Sequence, residues 1–221
     1  MRQIQKNEPR ALGLQERRQG PEPFGWEEIN DDTSLKNDIK AALLAEQGGL
    51  CAYTGIEIDM GASHIEHMKA RAHNWGYDSD TDYQNMVACY PNGGCDFGAM
   101  RKGNWPSPSE WSDFITPVEP RCEACIAYGT DGSISADGGN VAAKTTIQRL
   151  ALDHRELEER RRHAIDGVLE SLSQHNAGAL KAAAEKLVDQ LERTMQQEKP
   201  TRLTAFVFVL VDALRRHVAA S

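Results

Sequence analysis

The feature that most constrains how this chain folds is a short histidine-containing segment, His64-Ile65-Glu66-His67, and the polar residues that follow it. Asn85 comes next, then the pair Cys95-Asp96, and then Lys102-Gly103-Asn104. A Glu beside a His is common in proteins, so no single one of these pieces is specific. Their order is the informative feature, because a site built around one metal ion needs its residues in this order.

These residue types suit the hydrolysis of a phosphodiester. The reaction needs a base that activates water, a hard cation that holds the phosphate and the leaving oxygen, and acceptors that position both. His67 can take up a proton near neutral pH. Glu66 and Asp96 can hold Mg²⁺ or Mn²⁺, and Asn85 can fix a loop or the imidazole by hydrogen bonding. His64 lies two residues before Glu66, hence on the same side of a strand, and is either a further ligand or an exposed histidine.

At these positions the chain resembles the HNH endonucleases of the PtuB type, which occur in Septu and retron anti-phage systems beside an ABC-like ATPase. The resemblance covers roughly residues 1 to 162. It rests on Met1-Arg2-Gln3-Ile4, Glu46-Gln47-Gly48-Gly49-Leu50-Cys51-Ala52-Tyr53, Ile65-Glu66-His67-Met68-Lys69, Asn85, Cys95-Asp96, Lys102-Gly103-Asn104, Arg121-Cys122-Glu123 and Asp131-Gly132, among others.

The resemblance implies a role for each of the matching residues. Glu66 becomes a metal ligand, His67 the general base, Asn85 the residue that orients the loop of the base, and Asp96 the last acidic ligand. Lys102 is expected near a phosphate. Apart from the resemblance, the charge distribution places Lys69, Arg71, Arg101 and Lys102 around the proposed site, as a basic rim that is expected to bind the substrate. The resemblance also implies a ββα-metal core within residues 50 to 105, DNA or RNA as substrate, and a hetero-oligomer with the ABC-like ATPase.

Three departures from the family pattern affect these assignments. Thr54 occupies the position where a second cysteine of a knuckle is expected, and Ala70 replaces a proline after the base. The residues from Phe97 to Arg101 lengthen the segment between Asp96 and Lys102. A non-catalytic scaffold, similar to a zinc ribbon and docked on the ATPase, is therefore the alternative function.

The chain has five cysteines and no signal peptide, which predicts a reducing, cytoplasmic location. Cys122 and Cys125 have the spacing of half a metal site. The other half of a structural zinc site has to come from Cys51, Cys95, Cys89 or a histidine. A four-cysteine site would comprise Cys51, Cys95, Cys122 and Cys125. The alternative is that these thiols are buried and bind no metal.

Composition limits the possible functions. The net charge of −8 argues against a general nucleic-acid coat protein, because sequence-independent binding depends on Lys and Arg. The acidic residues concentrate in Glu27–Asp32 and Glu156–Glu159, away from the proposed basic rim. The most apolar run, residues 204–211, is far shorter than the roughly 20 residues that span a bilayer, so no membrane association is expected.

Periodicity predicts a mostly helical α+β protein in three parts. Residues 1–33 are interpreted as an irregular arm, 34–135 as the nuclease core, and 136–221 as a helical region that could dock a partner. A helix is predicted over residues 34–47, with Gly48-Gly49 as its end. Further helices are predicted at about 141–174, 177–197 and 200–219, the last of them opened by Pro200.

Overall fold

The computed structural model describes residues 1–6, 12–76, 79–91, 93–174, 177–197 and 202–220. The α-helices of these ranges are α1 (Leu12–Arg18), α2 (Trp26–Asp31), α3 (Thr33–Gln47), α4 (Gly98–Lys102), α5 (Val141–Arg149), α6 (Arg155–Ser173), α7 (Ala177–Met195) and α8 (Val207–Ala220). The strands are β1 (His64–His67), β2 (Met86–Cys89), β3 (Ile126–Tyr128) and β4 (Ile134–Ala136). The predicted α+β class is confirmed, with about half of the chain helical rather than most of it. None of the helices described is long and apolar enough to cross a membrane.

The strands form two small antiparallel sheets, β1 with β2 and β3 with β4. In the first sheet His64 lies opposite Cys89 and His67 lies opposite Met86. Side chains alternate between the two faces of a strand. His67 therefore points into the protein together with Ile65, while His64 and Glu66 share the more open face.

Helix α3 positions this hairpin. The side chain of Asp32 caps its start by accepting a hydrogen bond from the backbone N–H of Leu35, and Gly48 ends it in the left-handed conformation, as predicted. The amide of Gln47, at the last turn, donates to the carbonyl of Ala88 (2.8 Å) and accepts from its N–H (2.7 Å). A buried side chain thus pairs the edge of β2 that β1 leaves open.

The described residues before position 34 are not all irregular. They contain α1 and α2, and the side chains of Ile4, Leu14, Trp26 and Ile29 are buried in the main hydrophobic core. These apolar residues are too widely spaced to give a periodic signal. They become core residues only because α3 and the hairpin present an apolar surface to them.

The helical region also differs from the prediction. A turn separates α5 from α6, where Ala151 has a left-handed φ of 45° and His154 Nδ1 accepts from the N–H of Glu156 to cap α6. Helix α8 begins at Val207 rather than at residue 200, and Pro200 lies outside the described residues.

Helix α8 packs its apolar side on the two helices before it, as its spacing predicts. Val211 and Leu214 are buried against Leu172 of α6 and against Ala184 and Val188 of α7. The main core includes residues on both sides of position 136, and its buried members include Met86 of β2, Ile147 of α5 and Leu210 of α8. The predicted nuclease core and helical region therefore share one core.

Candidate active site

His67, the predicted general base, is the last residue of β1 and is only 5% exposed. Its ring packs edge-on against Trp26, with the ring centroids 4.5 Å apart. Nε2 lies 2.8 Å from the backbone carbonyl oxygen of Asp80. Because a carbonyl only accepts, this hydrogen bond assigns the ring proton to Nε2 and leaves the lone pair on Nδ1.

Burial also sets the protonation state of this histidine. It lowers the pKa of His67 to about 4, and it outweighs the hydrogen bond to Asp80, which acts in the opposite direction. The nearby charge of Arg71 lowers the pKa further. His67 is therefore neutral at pH 7 and can accept a proton at Nδ1.

Asn85 fixes the loop that joins β1 to β2. Its Oδ1 accepts from the backbone N–H of Lys69 (2.7 Å), and its Nδ2 donates to the carbonyls of Lys69 (3.2 Å) and Ser79 (2.8 Å). The side chain is buried, at 4% exposure. Of the two possibilities for this residue, the structure supports the loop and not the imidazole, since all three bonds go to the backbone.

Glu66 lies on the open face of β1 between two basic groups. Its Oε1 is 2.8 Å from the ammonium of Lys102, and its Oε2 is 3.7 Å from Nε2 of His64. Burial acts to raise the pKa of Glu66, but the nearby His64 and the ammonium of Lys102 together lower it below its usual value. The carboxylate is therefore ionised at neutral pH.

Lys102 does not have the solvent position that a phosphate-binding residue requires. It is only 3% exposed, and its ammonium donates to Glu66 and to the backbone carbonyl of His67 (2.9 Å). The contact of Lys102 with the substrate therefore stays a prediction, which its buried position does not favour. This lysine instead ties the last turn of α4 to the end of β1, a role that its sequence neighbourhood does not reveal.

Among the described residues, the side chains of His64 and Glu66 are placed so that both can bind one metal cation. Nδ1 of His64 is hydrogen-bonded to the carbonyl of Pro91, which leaves Nε2 to face Glu66. A histidine that ligates a metal commonly donates its other N–H to a carbonyl in this way. The 3.7 Å between Nε2 and Oε2 is less than twice a metal–ligand distance of about 2.1 Å, so one ion can contact both atoms.

Asp96, the predicted third ligand, is exposed in the turn before α4. Within the part of the chain that the structure describes, no three His, Cys, Asp or Glu side chains form a group that could hold a metal ion. The described geometry thus places Glu66 and His64 together and does not join Asp96 to them.

Lys69 and Arg71, the other predicted substrate-binding residues, follow directly after the hairpin strand. The ammonium of Lys69 lies over the rings of Trp75 and Trp111, 5.8 Å and 5.5 Å from their centroids. The guanidinium of Arg71, which is exposed, lies 4.9 Å from the centroid of the Trp26 ring. Each cation therefore contacts an aromatic ring, and Arg71 lies close enough to His67 to lower its pKa.

The four proposed zinc ligands, Cys51, Cys95, Cys122 and Cys125, all belong to the described residues and do not form a metal-binding group there. The sulfur of Cys51 instead accepts from the backbone N–H of Tyr90 (3.3 Å). Burial acts to raise the pKa of Cys51, but hydrogen bonds from Cys89, Thr54 and Tyr90 lower it to about 6. Burial raises the pKa of Cys122 to about 12, so that this thiol is protonated.

A cavity of about 560 Å³ lies away from these groups. Charged side chains from the chain start, α3, α7 and α8 contribute to its lining, among them Arg2, Lys6, Glu46, Glu192 and Arg215. None of the sequence-predicted site residues lines it. The chemistry of the hairpin is therefore more informative about function than the size of this cavity.

Three groups at the site were missed by reasoning from the sequence. Asp80 acts through its backbone carbonyl, so its side chain carries no signal. Trp26 reaches His67 from a segment that was interpreted as irregular. Trp75 lies in the polar loop after β1, and only the spacing of Lys69 and Trp75 could have pointed to it.

No protein-family model matches the chain, and no curated protein matches it.

Proposed function

We propose that the chain is a metal-dependent endonuclease of the HNH type, which hydrolyses phosphodiester bonds in DNA or RNA. The observation that carries the proposal is the environment of His67. A buried histidine is held neutral, its proton is assigned to Nε2 by a carbonyl, and an ionised carboxylate precedes it on the same strand. The hairpin loop behind it is fixed by three hydrogen bonds from one asparagine.

In this proposal His67 takes a proton at Nδ1 from a water on the buried face of β1, opposite to the face that His64 and Glu66 share. A neutral imidazole needs no prior deprotonation at pH 7. The Asp80 carbonyl, which already accepts its other N–H, offsets part of the burial that disfavours the positive charge the ring gains. The ring cannot rotate freely, because Trp26 packs against it. Orientation and protonation state are thus both determined before a substrate binds.

Glu66 and His64 would hold the divalent cation, Mg²⁺ or Mn²⁺, with Asp96 as the proposed third ligand. When bound, the cation supplies electrostatic stabilisation to the phosphate and to the leaving oxygen. A small number of protein ligands suits Mg²⁺, which usually keeps several waters and binds substrate phosphate directly. The ammonium of Lys102 keeps Glu66 ionised and oriented.

The resemblance to PtuB-type nucleases supports a partner as well, an ABC-like ATPase in an anti-phage complex. Helix α7 offers a surface for it, because Glu185, Lys186, Asp189 and Arg193 are exposed on that helix. Glu192 is instead engaged by Arg215 of α8 at 2.6 Å. The exposed set alternates in charge, as in a docking or solvated helix face.

The decisive test compares His67→Ala with His163→Ala, an exposed histidine on α6. Nicking of plasmid DNA and cleavage of RNA are measured with Mg²⁺ or Mn²⁺ and with EDTA. We expect the first variant to lose about 10²–10⁴-fold in rate and the control to match the wild type. Equal rates in wild type and His67→Ala would contradict the assignment.

Metal analysis separates the enzyme from the scaffold. Replacement of Glu66 by Gln is expected to weaken Mn²⁺ binding and cleavage together, because it removes the ionised ligand. A wild-type chain that holds zinc tightly and cleaves nothing, alone or with the ATPase, would favour the scaffold instead.

A further inference from the structure

The tryptophans of this chain share an unusual feature: each of the four has a basic side chain over its ring. The pairs are Arg71 with Trp26, Lys69 with both Trp75 and Trp111, and Arg149 with Trp105. In a chain with a net charge of −8, this places cations and aromatic rings together in the region next to the hairpin.

Trp75 and Trp111 form a pair whose centroids are 5.4 Å apart, with an interplanar angle of 72°. Both are half-buried, so part of each ring is open to solvent. The indole N–H of Trp75 donates to the carbonyl of Ala70 (2.9 Å), and Trp111 packs edge-on against buried Phe114. The two rings are therefore held in place by the protein while they remain accessible.

The ammonium of Lys69 is held only loosely on these rings. Its distances of 5.8 Å and 5.5 Å are close to the upper limit of about 6 Å for a cation–π contact. Its backbone N–H and carbonyl, in contrast, are both bound by Asn85. The lysine is thus anchored beside the active-site loop with a charged end that can move to a phosphate.

The carboxylate of Glu110 does not offset the positive charge of Lys69. Glu110, which precedes Trp111, is paired with Arg149 at 3.3 Å and accepts hydrogen bonds from the backbone N–H and hydroxyl of Ser107. Its carboxylate is therefore neutralised within the surface rather than directed against an anionic ligand.

From this geometry we infer that Lys69, Trp75 and Trp111 form a base-stacking platform, which delivers an unpaired nucleic-acid strand to the proposed active site. Aromatic rings suit unpaired bases, because the bases of a duplex are stacked on one another and do not reach a protein ring. The ammonium of Lys69 neutralises the backbone phosphate that joins two stacked bases. The inference rests on the proposed nuclease function only for the fate of the bound strand.

The test measures binding in EDTA, where metal-dependent cleavage is absent. The probes are labelled oligonucleotides of about ten nucleotides, as DNA and as RNA, in three forms: unpaired, fully duplex, and an abasic strand of equal charge. We expect fluorescence anisotropy to show that the unpaired strand binds at least about fivefold tighter than the abasic strand. The duplex is expected to bind no better than the abasic strand. Tighter binding of the DNA or of the RNA probe identifies which nucleic acid supplies the unpaired strand.

Substitutions assign the preference to the platform. Trp75→Leu should weaken binding of the unpaired strand about 5- to 100-fold and leave the abasic strand unchanged, whereas Trp75→Phe should retain most of the affinity. Lys69→Gln should weaken both strands equally, since it removes only a phosphate contact. Val141→Ala, at an exposed position on α5, is the control for loss of surface apolar area.

Equal wild-type affinities for unpaired and abasic strands would overturn the platform, and this comparison needs no variant to fold. Tighter binding of the duplex, or an unchanged base preference in folded Trp75→Leu, would also overturn it. If His67-dependent cleavage persists without a base preference, the platform alone fails. If the base preference is present and no cleavage occurs, the nuclease proposal alone fails.

Discussion

Replacing Asn85 by Ala tests whether one buried amide organises the active-site loop. The substitution removes the acceptor of the Lys69 N–H and the donor to the carbonyls of Lys69 and Ser79. It leaves the strands of the hairpin intact, because none of these bonds belongs to the β1–β2 ladder. The loss of structure should therefore be confined mainly to the loop of residues 68–85.

The expected size follows from these three bonds. Each contributes about 1 kcal/mol net, and a buried group left unpaired costs more. Lys69 and Ser79 are only half-buried, so water can reach part of the freed groups, and we take the lower figure. The free energy of unfolding should fall by about 3 kcal/mol, which lowers the urea midpoint by roughly 1–2 M.

The assay is urea denaturation followed by tryptophan fluorescence, together with amide hydrogen exchange at Lys69. Asn85→Asp should lose at least as much as Asn85→Ala, since it keeps the acceptor for the Lys69 N–H but sets a buried carboxylate oxygen against the carbonyls of Lys69 and Ser79. Asn104→Ala is the matched control, because that exposed amide should contribute about 0.5 kcal/mol or less. A stable Asn85→Ala variant with a protected Lys69 amide would refute the reasoning.

Two further predictions concern buried lysines. Lys102→Met should destabilise the protein by about 3 kcal/mol at pH 7, since it leaves the Glu66 carboxylate without its ammonium. Adding Glu66→Gln should restore part of this stability, as measured by urea denaturation. A double variant that is no more stable than Lys102→Met would argue against the ion pair. Burial lowers the pKa of Lys6 to about 8 from 10.5, against the opposing effect of Glu46, so the unfolded chain binds the proton more tightly. The stability of the wild type relative to Lys6→Met should therefore rise between pH 8 and 10.5, and a difference that stays constant across that window would contradict the assigned burial cost.

Local features of the sequence predicted some of this protein correctly. The helix that ends at Gly48 is one case, because an apolar stripe and a glycine stop are encoded within a few neighbouring residues. The shared face of His64 and Glu66 is another, since alternation along a strand depends only on spacing. For Asn85, residue type left the loop and the imidazole open, and the resemblance implied the loop.

Tertiary structure decided what depends on residues far apart in the chain. The proton position and low pKa of His67 come from the Asp80 carbonyl and from burial beside Trp26, and neither leaves a pattern around residue 67. Lys102 became a buried partner of Glu66 because its ammonium reaches the end of β1 from the end of α4, whereas the resemblance implied a phosphate contact. Hydrogen bonding and burial depend on which surfaces meet, and spacing along the chain does not encode that meeting.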